Sequence, residues 1–219
     1  MDFFLSNVDV FVRAIFETLF MVFVSMIAAG ILGLALGIGL YVTRPGNLLS
    51  NRGLFTTLNV VVNIIRPIPF VIFLAAIQPL TSSVIGTTIG PSAAAFALSL
   101  AAAFAVSRIV EQSLVGVDPG VIEAARAVGA SPVRIIFTVL IPEGLGPLIL
   151  GYSFIFVGIV DMSAQAGIIG GGGLGDFAIA YGSQRYNYTV VYITVAVIVV
   201  LVQLGQFFGN YLARKALRR

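Results

Sequence analysis

Apolar segments close to the length of a bilayer crossing recur along this 219-residue chain and limit its fold more than any other feature. A helix needs about 20 predominantly apolar residues to cross the hydrocarbon core of a membrane. The segments that meet this length are Thr18–Tyr41, Leu58–Leu80, Ala93–Leu114, Leu148–Ile168 and Tyr188–Phe208. The pattern therefore predicts an all-α, polytopic membrane helix bundle of about five transmembrane helices, with residues 1–219 in a single domain.

The composition excludes most soluble and catalytic classes. Hydrophobic residues make up 59% of the chain and charged residues 10%, whereas soluble domains average roughly 45–50% and 25%. Cysteine and histidine are absent, which removes thiol nucleophiles, imidazole bases and the usual zinc ligands. Lys215 is the only lysine, so no phosphate-binding loop of the G-x-x-x-x-G-K-[ST] type exists. We expect no cofactor in this chain, and any ATP must be hydrolysed by another polypeptide.

The distribution of basic residues predicts the orientation, because cytoplasmic loops retain positive charge during insertion. With the C-terminus inside, the cytoplasmic set is Arg44, Arg52, Arg126, Arg134, Arg214, Lys215, Arg218 and Arg219. Only Arg13 and Arg185 then lie outside, while Arg66 and Arg108 fall within the apolar segments. We predict a multi-pass protein of the inner or plasma membrane with its N-terminus outside. Topology, and not binding to nucleic acid, accounts for the net charge of +3.

The loop at about residues 115–147 is polar enough to leave the membrane, yet it is patterned for helix. Asp118 before Pro119 is typical of an N-cap followed by proline in the first turn, and Gly129 can close that helix. Its apolar side is predicted to contain Val121, Ile122, Ala125 and Val128, with Glu123 and Arg126 on another side. The loop is therefore predicted to begin with one short amphipathic helix.

A second short helix is predicted directly afterwards. Ser131 and Pro132 repeat the cap-then-proline pattern, and Pro142 is predicted to end the helix. Two such helices would form a compact cytoplasmic knob that is kept slim by Ala124, Ala125 and Gly129. Insertion into a groove on a partner protein and packing on the lipid surface or on the bundle fit this pattern equally well.

The knob also contains a recognisable motif. Glu123-Ala124-Ala125, with Gly129 six positions after the glutamate and Ile141-Pro142 further on, resembles the EAA loop of ABC importer permeases. Further segments resemble one branch, the methionine importer permeases: YVTRPG at 41–46, VNIIRPIPF at 62–70, EAARAVGAS at 123–131 and GGGLGDF at 171–177.

This resemblance implies an ATPase-coupling site and a set of partners. The coupling residues would be Glu123, Ala124, Ala125, Arg126, Gly129 and Pro142. The partners would be a second copy of the chain, two ABC ATPase subunits that use ATP and magnesium, and an extracytoplasmic substrate-binding lipoprotein. The solute would be D- or L-methionine or a close analogue. A permease for another amino acid or small polar solute, a self-contained secondary transporter and a small membrane enzyme are the alternatives.

The segment Arg66-Pro67-Ile68-Pro69 lies inside the second apolar segment. Pro67 and Pro69 cannot donate hydrogen bonds to the carbonyls four residues earlier. Broken helices occur at membrane depth where they are buried or line a cavity, so this segment is a candidate part of the translocation path. A kink that merely suits packing, with Arg66 reaching the cytoplasmic surface, fits equally well.

Gly158, Asp161 and Gln165 are spaced by three and four and share one helical face. An ionisable residue at membrane depth normally faces the bundle interior or a water-filled cavity, so this stripe is predicted to line the path or its gate. Its partner would be Arg66, Arg108 or the ammonium group of the solute. A structural carboxylate capped by hydroxyl groups is the alternative, and Arg108 is also placed to pair with Glu111 one turn away.

The run Gly170–Gly175 matches G-x-G-x-x-G, but no βαβ pattern surrounds it, so a dinucleotide site is rejected. We predict instead a flexible external loop. Together with Asp176, Tyr181, Gln184, Arg185 and Tyr186, it would face the binding protein.

Overall fold

The computed structural model describes residues 7–217, so Arg218 and Arg219 of the predicted cytoplasmic set lie outside the described residues. Helices long and apolar enough to cross a membrane are α1 (Val8–Thr43), α5 (Pro91–Val115), α8 (Ile141–Ala166) and α10 (Tyr188–Leu217). A bent pair, α2 (Arg52–Ile65) and α3 (Phe70–Ala76), supplies one further crossing if it counts as a single span. The predicted all-α membrane bundle is confirmed.

Helix α1 begins at Val8, earlier than the predicted Thr18. Its 36 residues extend about 54 Å at 1.5 Å per residue, well beyond the roughly 30 Å hydrocarbon core. Gly33 and Gly37 bring α1 against Val106 and Val110 of α5, where a Cβ atom on either glycine would overlap the valine side chain. This close approach between α1 and α5 forms the centre of the bundle.

The second apolar segment is broken at Pro67 and Pro69 as predicted, but it is not confined to Leu58–Leu80, because its first helix already begins at Arg52. Helices α2 and α3 meet at an angle of 108° across the break at 66–69, and α4 (Gln78–Ile85) starts as a separate helix with Pro79 in its first turn. The break follows from Pro67 and Pro69, which cannot continue the hydrogen-bond ladder of α2. The Ile65 carbonyl instead accepts a hydrogen bond from Ile68 N at 3.1 Å.

The loop between α5 and α8 contains α6 (Pro119–Ala127) and α7 (Pro132–Ile135), which confirms two helix starts. The prediction that Pro142 ends the second helix is wrong. A π turn at Ile136–Leu140 leads directly into α8, with Ile141 N donating to Ile136 O. Pro142 lies in the first turn of α8, where a residue that cannot donate a hydrogen bond is tolerated.

The glycine-rich segment, which we predicted as a flexible external loop, consists of short helical turns, and most of its glycines pack against other parts of the chain. A π turn at Gly167–Gly171 leads into α9 (Gly173–Phe177), then into a second π turn at Ala178–Gly182 and a 3-10 turn at Ser183–Arg185. Gly167 faces the backbone of Asp176, and Gly175 faces the backbone of Ala164, at distances that leave no room for a Cβ atom. Alternating glycines therefore let the chain fold back on itself.

Candidate functional site

The knob formed by α6 and α7 is held by local hydrogen bonds that its sequence predicts. The Asp118 carboxylate accepts a hydrogen bond from Gly120 N at 2.8 Å, and Ser131 Oγ accepts one from Arg134 N at 3.4 Å. Helix α6 ends with Gly129 at φ +77°. Gly129 N donates to Arg126 O at 2.9 Å and Ala130 N donates to Ala125 O at 3.1 Å, which is the Schellman arrangement.

One buried residue from each knob helix, Ile122 of α6 and Ile135 of α7, anchors the knob to the bundle, and much of the remaining surface of α6 is open. Ile122 is buried in the main apolar core together with Leu114 and Ile135. Of the predicted apolar side, Ile122 is buried and Ala125 is partly buried, whereas Val121 is exposed and Val128 is 83% exposed.

The coupling residues that sequence reasoning selected lie together on that open surface. Glu123, Ala124, Arg126 and Gly129 are exposed, and Ala125 is half-buried. Neither Glu123 nor Arg126 belongs to an ion pair among residues 7–217. Pro142 is exposed at the base of α8 and is not part of this surface.

A polar cluster, which we name the cytoplasmic cluster after the orientation predicted from the sequence, joins α1, α2 and α5: its members are Arg44, Asn59, Asn63, Arg108 and Glu111. Glu111 is only 4% exposed, and its Oε2 lies 2.5 Å from Arg108 Nη1. Arg108 Nη2 donates to Asn59 Oδ1 at 2.5 Å and to Asn63 Oδ1 at 2.6 Å. The predicted pair of Arg108 and Glu111 is confirmed, although Glu111 is buried, and this engagement removes Arg108 as a partner for Asp161.

The second carboxylate oxygen of Glu111 is only partly compensated. Its Oε1 lies 3.4 Å from Arg44 Nη2, close enough for attraction but without hydrogen-bond geometry. Sequence reasoning missed Arg44, Asn59 and Asn63 as members of this cluster. The spacing of the two asparagines by four inside an apolar segment was the available signal.

The broken span presents its turn to the outside of the protomer. Arg66, Pro67 and Pro69 are all exposed, and Val62 is the single buried residue of α2. Among the described residues, Arg66 forms no ion pair. One of our predictions paired Arg66 with Asp161. The structure does not show that pair.

The stripe on α8 also faces outward. Gln165 Nε2 donates to Asp161 Oδ2 at 2.9 Å, which confirms that the two residues share a face, and Asp161 is exposed. A Cβ atom at Gly158 would meet no other atom within 4 Å. On the adjacent face of α8, Met162 and Ala166 pack with Phe70 and Leu74 of α3, so the stripe lies beside the helix that follows the proline break.

A second polar arrangement lies at the end of the bundle away from the knob, and sequence reasoning missed it. There, backbone N–H groups of α9 donate hydrogen bonds to side chains of α1. Gly173 N donates to Glu17 Oε2 at 2.9 Å, and Leu174 N donates to Thr18 Oγ1 at 2.8 Å. Arg13 Nε pairs with Glu17 Oε1 at 2.9 Å. Partial burial, and secondly the charge of Glu17, raise the pKa of Asp176 above its ordinary value.

The residues that we assigned to an external surface divide into two groups. The Arg185 guanidinium lies over the Tyr181 ring, 4.7 Å from its centroid, and the Phe177 and Tyr181 rings stack at 5.0 Å. Gln184 and Tyr186 are exposed, Tyr186 to 82%. Asp176 is exposed as well, whereas Gly171, Gly173 and Gly175 before it are buried.

Comparison with known proteins adds to this geometry. Residues 33–218 match the family described as binding-protein-dependent transport system inner membrane component. A Vibrio cholerae protein named probable D-methionine transport system permease protein MetI is 41% identical over 212 residues, covering 97% of this chain and 94% of the relative. The Escherichia coli D-methionine transport system permease protein MetI is 42% identical over 156 residues, covering 71% and 72%.

Solved structures give the same result. A chain of the MetNI methionine ABC transporter in inward-facing conformations superimposes with a TM-score of 0.94 at 40% identity, covering 96% of this chain and 98% of that one. A chain of an amino acid ABC transporter solved with histidines has a TM-score of 0.78 at 22% identity, covering 96% of both chains. At that identity the second likeness concerns the fold alone.

Proposed function

This chain belongs to the family of binding-protein-dependent transport system inner membrane components, and from that membership we propose that its solute is methionine, as the D or L form or a close analogue. The chain is the permease subunit of an ABC importer, and ATP hydrolysis belongs to a separate subunit. The observation that carries the choice of solute is the superposition, at 40% identity and over 96% of the chain, on a methionine ABC transporter.

The knob is the proposed docking site for the ATPase. Ile122 fixes α6 to the bundle core, while Glu123, Ala124, Arg126 and Val128 are left open to a partner. An exposed valine close in sequence to a glutamate and an arginine that form no ion pair among residues 7–217 suits an interface better than a surface in water. Pro142 has a different role in this proposal, because it lies where the knob continues into α8 and would transmit movement of the knob to that helix.

Two copies of the chain form the proposed permease, with two ATPase subunits that use ATP and magnesium. This proposal is supported by the polar and apolar groups at membrane depth that a single copy leaves exposed. Asp161 is exposed on α8, and α2 buries only Val62. A carboxylate inside a membrane needs a polar neighbour or a water-filled cavity. A second copy across the stripe would enclose such a cavity.

The proposed path runs along Gly158, Asp161 and Gln165 and past the break at Arg66, Pro67 and Pro69. The packing of α3 beside the stripe supports this course, as does the open space at Gly158. We place the knob on the cytoplasmic side and the N-terminus outside, where Gln184 and Tyr186 would face a substrate-binding lipoprotein. Arg44, Arg52, Arg126 and Arg134 then share the cytoplasmic side, as the charge rule requires.

Reconstituted vesicles that contain the permease, its ATPase and its binding protein test the solute and the coupling together. We expect ATP-dependent uptake of labelled methionine that histidine does not compete with. Glu123→Arg and Val128→Asp should abolish uptake without loss of membrane-inserted protein. Leu49→Asp, at an exposed apolar position of another cytoplasmic loop, is the matched control and should transport normally.

Val128 is a better test position than Gly129, since the φ of +77° at Gly129 strains any side chain placed there. Normal uptake by the Glu123→Arg and Val128→Asp variants would contradict docking through the knob. Uptake of another amino acid in preference to methionine would contradict the solute but not the coupling. Native mass spectrometry of the complex should count two permease copies, and a single copy would contradict the dimer.

The path is tested with Asp161→Asn and Gln165→Leu and with single cysteines at 161 and 165. The chain has no cysteine of its own, so a thiol reagent would report on the introduced residue alone. We expect reduced uptake and labelling by a water-soluble reagent that depends on the nucleotide state. Normal uptake together with unreactive thiols in every state would contradict the assignment.

A further inference from the structure

A groove of about 700 Å³ lies on the outer surface of the protomer between α1, α8 and α10. Its lining is apolar along its length and includes Leu34, Leu145, Leu148, Phe156 and Leu212. From Ile141 to Phe156 it follows α8 for about 22 Å at 1.5 Å per residue. One leaflet of the hydrocarbon core is about 15 Å thick, so the groove is long enough for an acyl chain.

The polar atoms in this groove are already satisfied, which identifies the chemistry of its occupant. The Tyr152 hydroxyl donates to Gly30 O at 2.7 Å, and the Ser153 hydroxyl donates to Ile149 O at 2.9 Å. A polar solute would find few groups to bind, whereas hydrocarbon leaves no donor or acceptor unpaired. The glycines of the lining are also occupied, since Gly205 and Gly209 receive Phe156 and Ser153 of α8.

A cation follows the groove at the cytoplasmic end of α10. Phe208, Leu212 and Lys215 are spaced by four and three, so they lie on one face of the helix. Lys215 is exposed and forms no ion pair among residues 7–217. Arg214 lies on another face, where its Nε donates to Asn210 O at 3.4 Å. The carboxylate of Glu143 is two residues after Ile141 and therefore on the far side of α8.

We propose that this groove binds one acyl chain of an anionic phospholipid whose phosphate pairs with Lys215. The apolar lining recognises the chain, and the free ammonium at its end recognises the negative headgroup. Assignment to the inner leaflet rests on the proposed orientation. The groove and its cation do not depend on that orientation or on the identity of the solute.

Lipid binding is measured on the purified permease–ATPase complex by native mass spectrometry after delipidation. Phosphatidylglycerol and phosphatidylcholine with the same acyl chains are the two probes. We expect preferential binding of phosphatidylglycerol. Lys215→Gln should reduce that preference about fivefold, the effect of one basic residue at an anionic surface. Arg214→Gln, which removes the neighbouring cation from the other face, should change it less than about twofold.

Leu212→Trp tests the groove itself, because the larger side chain narrows it at the end next to Lys215. This variant should bind less of both lipids, while Leu204→Trp, at an exposed position of α10 outside the groove, should bind as the parent does. Equal binding of the two lipids by the parent, or equal effects of the two tryptophans, would overturn the proposal. So would a change in the number of permease copies in Leu212→Trp, since a second copy would then be the occupant.

Discussion

The two ends of this bundle are held together by different interactions. At the end that carries the knob, which is the cytoplasmic end in our proposed orientation, α1, α2 and α5 are joined by charged and amide side chains around Glu111. At the opposite end, α9 is joined to α1 and α8 by backbone N–H groups and by glycines that allow backbone to approach backbone. The first arrangement depends on charges that can change partners, whereas the second has one packing solution.

That difference suits the work of an importer that is driven from one side. Side chains such as Arg108 and Arg44 can exchange hydrogen bonds when a partner moves the knob, so the cytoplasmic end can hold more than one arrangement. Contacts at Gly167 and Gly175 cannot lengthen or shorten without breaking, because rigid backbone lies on both sides. We infer that the cytoplasmic end moves and that the segment 167–182 moves with α1 and α8 as one body.

The largest effect should come from Arg108→Leu, which leaves the Glu111 carboxylate buried with only Arg44 nearby. Removing one partner of a buried ion pair costs about 3–5 kcal/mol. For a chain of this size that corresponds to a fall in Tm of roughly 10 °C. Thermal unfolding of the purified protein measures it, and Arg126→Leu, at an exposed and unpaired arginine, should leave Tm unchanged.

The double variant Arg108→Leu/Glu111→Leu tests whether the loss of stability comes from the unpaired Glu111 carboxylate. It should recover a large part of the lost stability, because the uncompensated carboxylate is gone. If the double variant is no more stable than Arg108→Leu, the cytoplasmic cluster is held by packing, and the comparison between the two ends fails.

Sequence alone predicts the parts of this molecule that depend on neighbouring residues. Apolar length predicts α1, α5, α8 and α10, the Asp118-Pro119 and Ser131-Pro132 pairs predict the starts of α6 and α7, and spacing by three predicts the pair of Arg108 and Glu111. Each of these rests on residues within a few positions of one another. The proposed coupling surface was selected in the same way, because the motif that selects it is continuous in sequence.

The parts that sequence did not predict are contacts between distant residues. Gly173 meets Glu17 across 156 positions, and Arg108 meets Asn59 across 49. No periodicity in either segment specifies such a pairing. The helix through Pro142 was missed for a related reason, since a π turn depends on how α8 packs and not on the residues of the turn alone.

A second effect, at the other end, should come from Gly175→Ala. A single methyl group there would overlap the Ala164 backbone, and overpacking against atoms that cannot rotate away costs about 3 kcal/mol. Gly158→Ala on the same surface of the molecule as Asp161 is the matched control, because a Cβ at Gly158 meets nothing within 4 Å. Equal unfolding temperatures of the two variants would show that the glycine segment can relax.

A smaller loss should come from Thr18→Val, which removes the acceptor for the buried Leu174 N–H while keeping the shape of the side chain. An unsatisfied buried donor costs about 1–2 kcal/mol. Amide hydrogen exchange gives the sharper measurement, since protection of Leu174 and its neighbours in α9 should fall while that of α5 stays as in the parent. Thr18→Ser keeps the hydroxyl and should preserve protection. Loss of protection in α5 as well would mean that the two ends are not independent.

The smallest effect concerns the titration of Asp176, at the end of the bundle that contains α9. Burial and the Glu17 charge raise the pKa of Asp176 above 3.8 in the folded protein, so the fold binds the proton more tightly than the unfolded chain does. Ionisation then opposes folding. The contribution of this group to stability is greatest below pH 3.8 and is lost as the pH rises through the raised pKa.

Asp176→Asn should match the parent at low pH and unfold at a slightly higher temperature near neutrality. Arg13 offsets part of the Glu17 charge, so Arg13→Gln in the parent should enlarge the difference. If Asp176→Asn is less stable than the parent at neutral pH, the ionised carboxylate stabilises this end, and charge holds both ends of the bundle together.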